Sequence, residues 1–200
     1  MRRFLWMAVI TAGMGLLNGC THEKSNLGEA YFQSGDYAKA IEEYTNVLNI
    51  KPRDMEVMYN RGRAYQENGN EEKAISDFRK VLKLDPDHVQ AHLSLGNIDF
   101  KHGDYAGAYF EFDAVVKKYH QNGDALMFRG KANFKLGLLG EALEDYNNSI
   151  RINPKNGHAY LYRGALNIHS KRPKKACQDF KKAESLGIDE ASEAIKKYCK

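Results

Sequence analysis

Two histidines are the residues of this sequence whose spacing best suits metal binding. His88 and His92 are four residues apart, so on one helix they would share a face and could share a metal ion. The residues between them are Val-Gln-Ala, and the pair therefore lacks the glutamate of an H-E-x-x-H zinc site. His88 is also expected at the boundary of its helix rather than within it. We expect two solvent-facing histidines near a turn, with metal capture as an alternative function.

Other patterns that carry catalysis are absent from the sequence. It contains no G-x-S-x-G motif, no Walker loop and no cysteine pair at zinc-binding spacing. The balance of 30 basic to 26 acidic residues lacks the one-sided charge of a nucleic-acid binder. The sequence therefore predicts a protein that is not an enzyme, has no cofactor, and binds neither nucleic acid nor a small-molecule substrate.

The first twenty residues have the organisation of an export signal. Arg2 and Arg3 precede an uncharged, mostly apolar stretch at residues 4–17, and small residues follow it. Fourteen residues are too few to span a bilayer comfortably as a helix. The alternative is an N-terminal membrane anchor that is never cleaved.

The end of this stretch, Leu-Asn-Gly-Cys at residues 17–20, resembles the lipobox of bacterial lipoproteins. The resemblance implies that residues 1–19 are a signal peptide and that Cys20 is lipidated and becomes the first residue. Asn18 departs from the small or hydroxyl residue usual at its position. Acyl chains on Cys20 would hold the protein on a membrane. Thr21, in place of aspartate, implies the outer membrane facing the periplasm if the source is Gram-negative.

A 34-residue period fills the rest of the chain. Glycine, alanine and an aromatic residue each recur in one register. Glycine occupies positions 28, 62, 96, 130 and 164, alanine 40, 74, 108, 142 and 176, and the ring 44, 78, 112, 146 and 180. Helical spacing around these columns predicts two helices in each period, with the rings in the core.

This pattern resembles the tetratricopeptide repeat over residues 21–190. The resemblance implies an all-α, right-handed α-solenoid of five helix-turn-helix repeats, at residues 21–54, 55–88, 89–122, 123–156 and 157–190. An amphipathic segment at residues 189–200 is expected to be a C-terminal capping helix. Asp99, Asn133 and Asn167 replace a common tyrosine, and His120 and Ile188 replace prolines. We expect these departures to loosen local packing.

In this family the first helix of each repeat lines a concave groove. The resemblance and helical spacing together place a partner-binding groove at Tyr59, Asn60, Arg63, Leu93, Asn97, Phe100, Lys101, Met127, Phe128, Lys131, Phe134, Lys135, Tyr162 and His169. Aromatic rings beside Lys and Arg suit an extended or helical peptide with some acidic character. The alternative is that Phe100 and Phe134 pack between neighbouring repeats and meet no ligand.

Two cysteines remain once Cys20 is lipidated, in a compartment that permits disulfides. Cys177 lies on the second helix of the fifth repeat, and Cys199 lies near the end of the capping helix. Because a short turn around Gly187 joins these helices, we expect a Cys177–Cys199 disulfide that fastens the cap. The alternative is a pair of buried, reduced cysteines.

The sequence as a whole predicts a membrane-anchored scaffold or adaptor of the bacterial cell envelope that binds envelope proteins or peptides. Relatives of this architecture serve in pilus or secretin assembly, in outer-membrane protein assembly and as adaptors of cell-wall hydrolases. The sequence does not choose among these roles. An accessory protein associated with an envelope enzyme is an alternative beside metal capture.

Overall fold

The computed structural model describes residues 27–199, which form eleven α-helices and no β-strand within that range. The lipobox, Cys20 and Thr21 lie outside the described residues. The chain divides into two compact units between Pro86 and Asp87. Across residues 27–199, no helix combines the length and the apolar character needed to cross a membrane.

The N-terminal unit, residues 27–86, contains four helices. They are α1 (described over residues 27–33), α2 (Tyr37–Ile50), α3 (Met55–Glu67) and α4 (Glu71–Leu84). Helix α3 packs against both α2 and α4. Each helix is amphipathic, and packing its apolar stripe on a neighbour buries that stripe.

The C-terminal unit, residues 87–199, contains the other seven helices. They are α5 (Val89–Lys101), α6 (Tyr105–Lys118), α7 (Gly123–Lys135), α8 (Leu139–Ile152), α9 (Gly157–His169), α10 (Pro173–Ser185) and α11 (Asp189–Tyr198). Each helix from α6 to α10 packs on the one before it and the one after it. The predicted all-α class and its succession of helix pairs are therefore confirmed.

The helix ends recur with the same 34-residue period. Gly35, Gly69, Gly103 and Gly137 all have φ near +80°, the left-handed region that favours glycine. In the fifth pair Lys171 takes the same place, with φ of 57°. The following residues Asp36, Asn70 and Asp104 accept hydrogen bonds from backbone N–H groups in the first turn of the next helix.

The aromatic column forms the core, as predicted. Tyr44, Phe78, Phe112, Tyr146 and Phe180 are all at most 2% exposed. Each ring lies against the glycine sixteen residues before it, and a Cβ atom on Gly96 would come within 2.5 Å of Phe112 Cε1. The glycine column therefore allows the two helices of each pair to approach closely enough for a ring to fill the space between them.

Three arginines on first helices each connect the second helices on either side; we call them arginine staples. Arg129 on α7 donates to both carboxylate oxygens of Asp145 on α8, at 3.0 and 2.6 Å, and to Asp113 on α6 at 2.7 Å. Arg163 joins Asp179 and Asn147 in the same way, and Arg61 joins Asp77 and Thr45. Within each unit, successive helix pairs are thus fastened by charge-assisted hydrogen bonds.

Two asparagines complete the staples, contrary to the expected loosening. Asn133 and Asn167 are buried, and each donates from Nδ2 to the stapled aspartate, Asp145 or Asp179, at 3.0 Å. The small amide fits beside the carboxylate and satisfies it. The replacement of tyrosine therefore supplies a hydrogen bond to an otherwise costly buried charge.

Helix α5 carries Leu95 where α3, α7 and α9 carry a staple arginine. Leu95 is buried, and the carboxylate sixteen residues on, Glu111, lies instead 2.6 Å from His92 Nδ1. The third helix pair therefore uses a histidine where its neighbours use an arginine.

Helix α11 covers the end of the fifth pair. It packs on α10, with Ala191 fully buried and the Tyr198 ring stacked on Phe180 at 6.3 Å. The structure joins Cys177 to Cys199 as a disulfide, with their Cα atoms 5.6 Å apart. Ile188, which replaces a proline, packs closely on Gly157.

Candidate functional site

In the N-terminal unit the predicted groove residues lie on α3. The Arg63 guanidinium lies over the Phe32 ring of α1, 4.4 Å from its centroid, and the Tyr59 ring is tilted against Phe78 at 5.5 Å. Arg63, Tyr59 and Asn60 are all partly exposed. The Arg63 and Tyr59 side chains are therefore held in place by neighbouring rings while keeping a surface to solvent.

In the C-terminal unit six predicted groove residues from three first helices come together. This basic-aromatic face consists of Phe100 from α5, Phe128, Lys131, Phe134 and Lys135 from α7, and Tyr162 from α9. Lys131 is its centre, because its Nζ atom lies 4.7 Å from the Phe100 centroid, 4.8 Å from that of Tyr162 and 5.7 Å from that of Phe128. Such distances are those of cation–π contacts.

Lys135 stands one helical turn further along the same face. Its Nζ atom lies 5.8 Å from the ring centroid of Tyr105, which packs edge-on against Phe100 at 5.1 Å. Lys135 is exposed, whereas Lys131 is partly buried. The two lysines thus share one aromatic wall but differ in their access to water.

Neither lysine is neutralised within residues 27–199. No ion pair of the described chain involves Lys131 or Lys135. Burial, and then repulsion from Lys135, lowers the pKa of Lys131. The face therefore carries a positive charge that the described residues do not balance.

The other aromatic residues of the face serve both surface and core. The Phe128 ring stacks on Phe112 at 5.3 Å, and Phe134 meets His169 edge-on at 5.6 Å. Phe100 and Phe134 are partly buried against the core clusters below them. Each of these two rings therefore packs against the core on one side, as the alternative expects, and keeps part of its area in solvent, as a groove residue does.

One groove prediction is wrong. Met127 was expected on the exposed side of its helix, but it is only 5% exposed and packs with Tyr146 and Leu166. Leu93 is also partly buried, against the clusters around Val115 and Phe112. Asn97, Lys101 and His169 are exposed as expected.

The two histidines considered for metal binding have other roles. His88 is the N-cap of α5, as its predicted boundary position implies, and its Nδ1 atom accepts from the Ala91 N–H at 3.2 Å. His92 pairs with Glu111. No group of three or more metal-ligating side chains occurs in the part of the chain that the structure describes.

Sequence reasoning missed Tyr105 and the arginine staples. Tyr105 begins a second helix, so first-helix spacing could not place it on the face. The staples did leave a signal, since Arg61, Arg129 and Arg163 share one register and each precedes an aspartate by sixteen residues.

Family models describe three stretches of this chain. A model described as "TPR repeat" matches residues 28–69, and two described as "Tetratricopeptide repeat" match residues 56–88 and 93–157. The chain contains tetratricopeptide repeats. Apart from Gly157, the α9–α10 pair lies beyond the matched residues, yet it repeats the same buried ring, close-packed glycine and staple.

Several solved protein structures share this fold. MamA from Desulfovibrio magneticus RS-1 has a TM-score of 0.73 at 23% identity, over 83% of this chain and 94% of that one. PilW, described as a widely conserved type IV pilus biogenesis factor, has 0.74 at 22%, over 84% and 77%. Pseudomonas aeruginosa pilF has 0.76 at 18%, over 86% and 78%. A comparison with curated protein sequences gives no match.

Proposed function

We propose that this tetratricopeptide-repeat protein is a protein-interaction scaffold of the bacterial cell envelope. The observation that carries the proposal is the basic-aromatic face, where rings and lysines from α5, α7 and α9 converge on an accessible surface. Aromatic and basic side chains that are held rigidly and partly desolvated are the groups that dominate protein–protein recognition. Tetratricopeptide repeats generally act as scaffolds of this kind.

We further propose that a lipid on Cys20 anchors the scaffold to a membrane, the outer membrane if the source is Gram-negative. The support is the lipobox-like sequence that ends at Cys20. Two or three acyl chains would hold the protein durably on a bilayer without a polybasic patch. The shared fold with PilW makes assembly of an envelope structure one role for such an anchored scaffold.

Crosslinking in intact envelopes tests the proposed site. A photoreactive amino acid replaces Asn97, which is exposed on α5, or Gln178, which is exposed on α10 and serves as the matched control. We expect partner proteins to be captured from position 97 and not from position 178. The double variant K131E/K135E should lose this capture, while K174E/K181E, with the same change of charge on α10, should keep it.

Two results would count against the proposal. Equal capture from both positions would mean nonspecific contact, and capture from position 178 alone would move binding to the second helices. Circular dichroism of each variant checks that the helices remain folded, which matters most for K131E/K135E because Lys131 is partly buried.

A further inference from the structure

We propose that Lys131 and Lys135 bind a side-chain carboxylate in an acidic segment of the partner protein that also carries apolar residues. Phe100, Phe128 and Tyr162 hold the Lys131 ammonium in position for that contact. This inference rests on the proposed function, because it assigns a ligand chemistry to the same basic-aromatic face.

The first argument is the unbalanced charge of Lys131. Exposed lysines such as Lys39, Lys117 and Lys118 pair with a carboxylate at 2.7 to 2.8 Å, and others of residues 27–199, such as Lys174 and Lys181, form no ion pair but are exposed to water. Lys131 is less accessible and pairs with none among residues 27–199. A partly desolvated ammonium gains more from an anion than a fully hydrated one does, so a ligand carboxylate is the group that best complements it.

The second argument is the position of the rings. Aromatic faces attract the ammonium but carry no net charge, so the three rings orient Lys131 without cancelling its charge. They come from three different helices, and the nitrogen is therefore held by the fold rather than by its own flexible side chain. A preorganised donor of this kind loses little conformational entropy when it binds.

The third argument concerns the size and sign of the charged region. Lys135 follows Lys131 by one helical turn, so both ammonium groups can face one carboxylate. The rest of the face is aromatic. Glu190 limits the basic region near Tyr162, because burial first and then the negative charge of Glu190 raise the pKa of Tyr162. Two lysines beside apolar rings suit an acidic residue with apolar neighbours, whereas nucleic acid or an anionic bilayer needs a broader basic patch.

Peptide display on the full chain tests the ligand chemistry. The protein, immobilised through a C-terminal tag, selects from a library of random 12-residue peptides. We expect the selected peptides to be enriched in Asp and Glu over the input library. One selected peptide is then synthesised with an acetylated N-terminus and an amidated C-terminus, so that only side chains supply carboxylates. A second version carries Asn or Gln in place of each acid.

Binding of the two peptides to wild-type and K131Q protein forms a double-mutant cycle. Wild-type protein should bind the acidic peptide roughly tenfold or more tightly than its amide version, as expected for a charge-assisted hydrogen bond. K131Q should lose most of this preference, and K131Q/K135Q, which removes both ammonium groups, should bind both versions alike. The control K174Q/K181Q changes two exposed lysines on α10 and should keep the full preference.

The outcomes separate the two proposals. Selected peptides without acidic enrichment, or an amide version that binds as well as the acid, would overturn the carboxylate inference and leave the proposed function standing. No selection from the library, together with no envelope crosslink from position 97, would overturn both. A third outcome is that no peptide is selected, but the full chain binds phosphatidylglycerol vesicles and K131Q/K135Q abolishes that binding. This result would overturn the peptide carboxylate and identify a lipid headgroup as the ligand instead.

Discussion

Arg129 Nη2 lies 2.6 Å from Asp145 Oδ1, and one repeat later Arg163 Nη2 lies 2.6 Å from Asp179 Oδ1. In each case the third nitrogen of the guanidinium reaches back to the preceding second helix. The arginine therefore satisfies a buried carboxylate and links two helix pairs at once. This arrangement makes the staple a structural element rather than part of the binding face.

Removing one staple should destabilise the C-terminal unit. Arg129→Ala would leave Asp145, which is only 2% exposed, with Asn133 as its remaining partner. We expect a loss of about 3 kcal/mol in the free energy of unfolding, because an unpaired buried charge is costly. Urea denaturation followed by circular dichroism measures the change. Arg151→Ala, at an exposed arginine of α8, is the control and should cost under about 0.5 kcal/mol.

Close packing at the glycine column should make Gly96→Ala unfavourable. Its Cβ atom would overlap Phe112 in the core, and overpacking of this kind costs about 1–3 kcal/mol. Gly140→Ala is the matched control, since no atom beyond its chain neighbours and the backbone of its own helix turn lies within 4 Å of its Cβ position on α8. That change should be neutral or stabilising by up to about 1 kcal/mol. Equal thermal midpoints for the two variants would contradict the proposed close packing.

The Cys177–Cys199 bond should stabilise the end of the chain. Its loop spans 22 residues, for which the chain-entropy argument gives about 3 kcal/mol. We expect C177S/C199S to unfold at lower urea and to expose the amides of α11 to hydrogen exchange. Alkylation and mass spectrometry of exported protein, without reductant, should find neither thiol free. Two alkylated thiols would mean that the bond does not form in the envelope.

Binding of an acidic peptide should weaken at high pH because of Lys131. Its pKa lies below the ordinary 10.5, so it loses its charge before exposed lysines do as the pH rises. Because the pKa of Lys131 is lower in the folded protein than in the unfolded chain, the folded protein releases this proton at a lower pH. The contribution of Lys131 to the free energy of unfolding therefore increases as the pH rises towards 10.5. Peptide affinity measured against pH checks this prediction. Lys131→Arg should flatten the profile, because arginine stays charged.

Lipidation of Cys20 should decide where the protein fractionates. We expect Cys20→Ala to leave the membrane fraction, or to remain there with its signal peptide uncleaved. Membrane fractionation and intact mass compare the variant with the parent. Identical behaviour of the two proteins would mean that Cys20 carries no lipid anchor.

Sequence periodicity predicted the fold because a repeat displays each structural requirement several times. Gly96 and Phe112 form one of five glycine–aromatic pairs with the same spacing, and Asp36 is one of several helix N-caps that follow a glycine. Met127 was misplaced because spacing along one helix cannot show what the next pair covers. Tyr105 was missed because its approach to Lys135 depends on how two helices cross. A face built by three helices is determined by tertiary packing, and spacing reveals only the residues that each helix offers.

The staples also bear on how the length of this protein can change. The hydrogen bonds of Arg163 go to Asn147 and Asp179, which lie sixteen positions before and after it, each within one repeat length. If residues 123–156 were deleted as a block, Arg163 would stand opposite Asp113, the residue that Arg129 now holds. The contact between the two helix pairs would therefore form again, with Arg163 in the place of Arg129. A deletion that is not a multiple of 34 residues would put the guanidinium out of register, so whole repeats are the units by which such a chain can be shortened or extended by duplication.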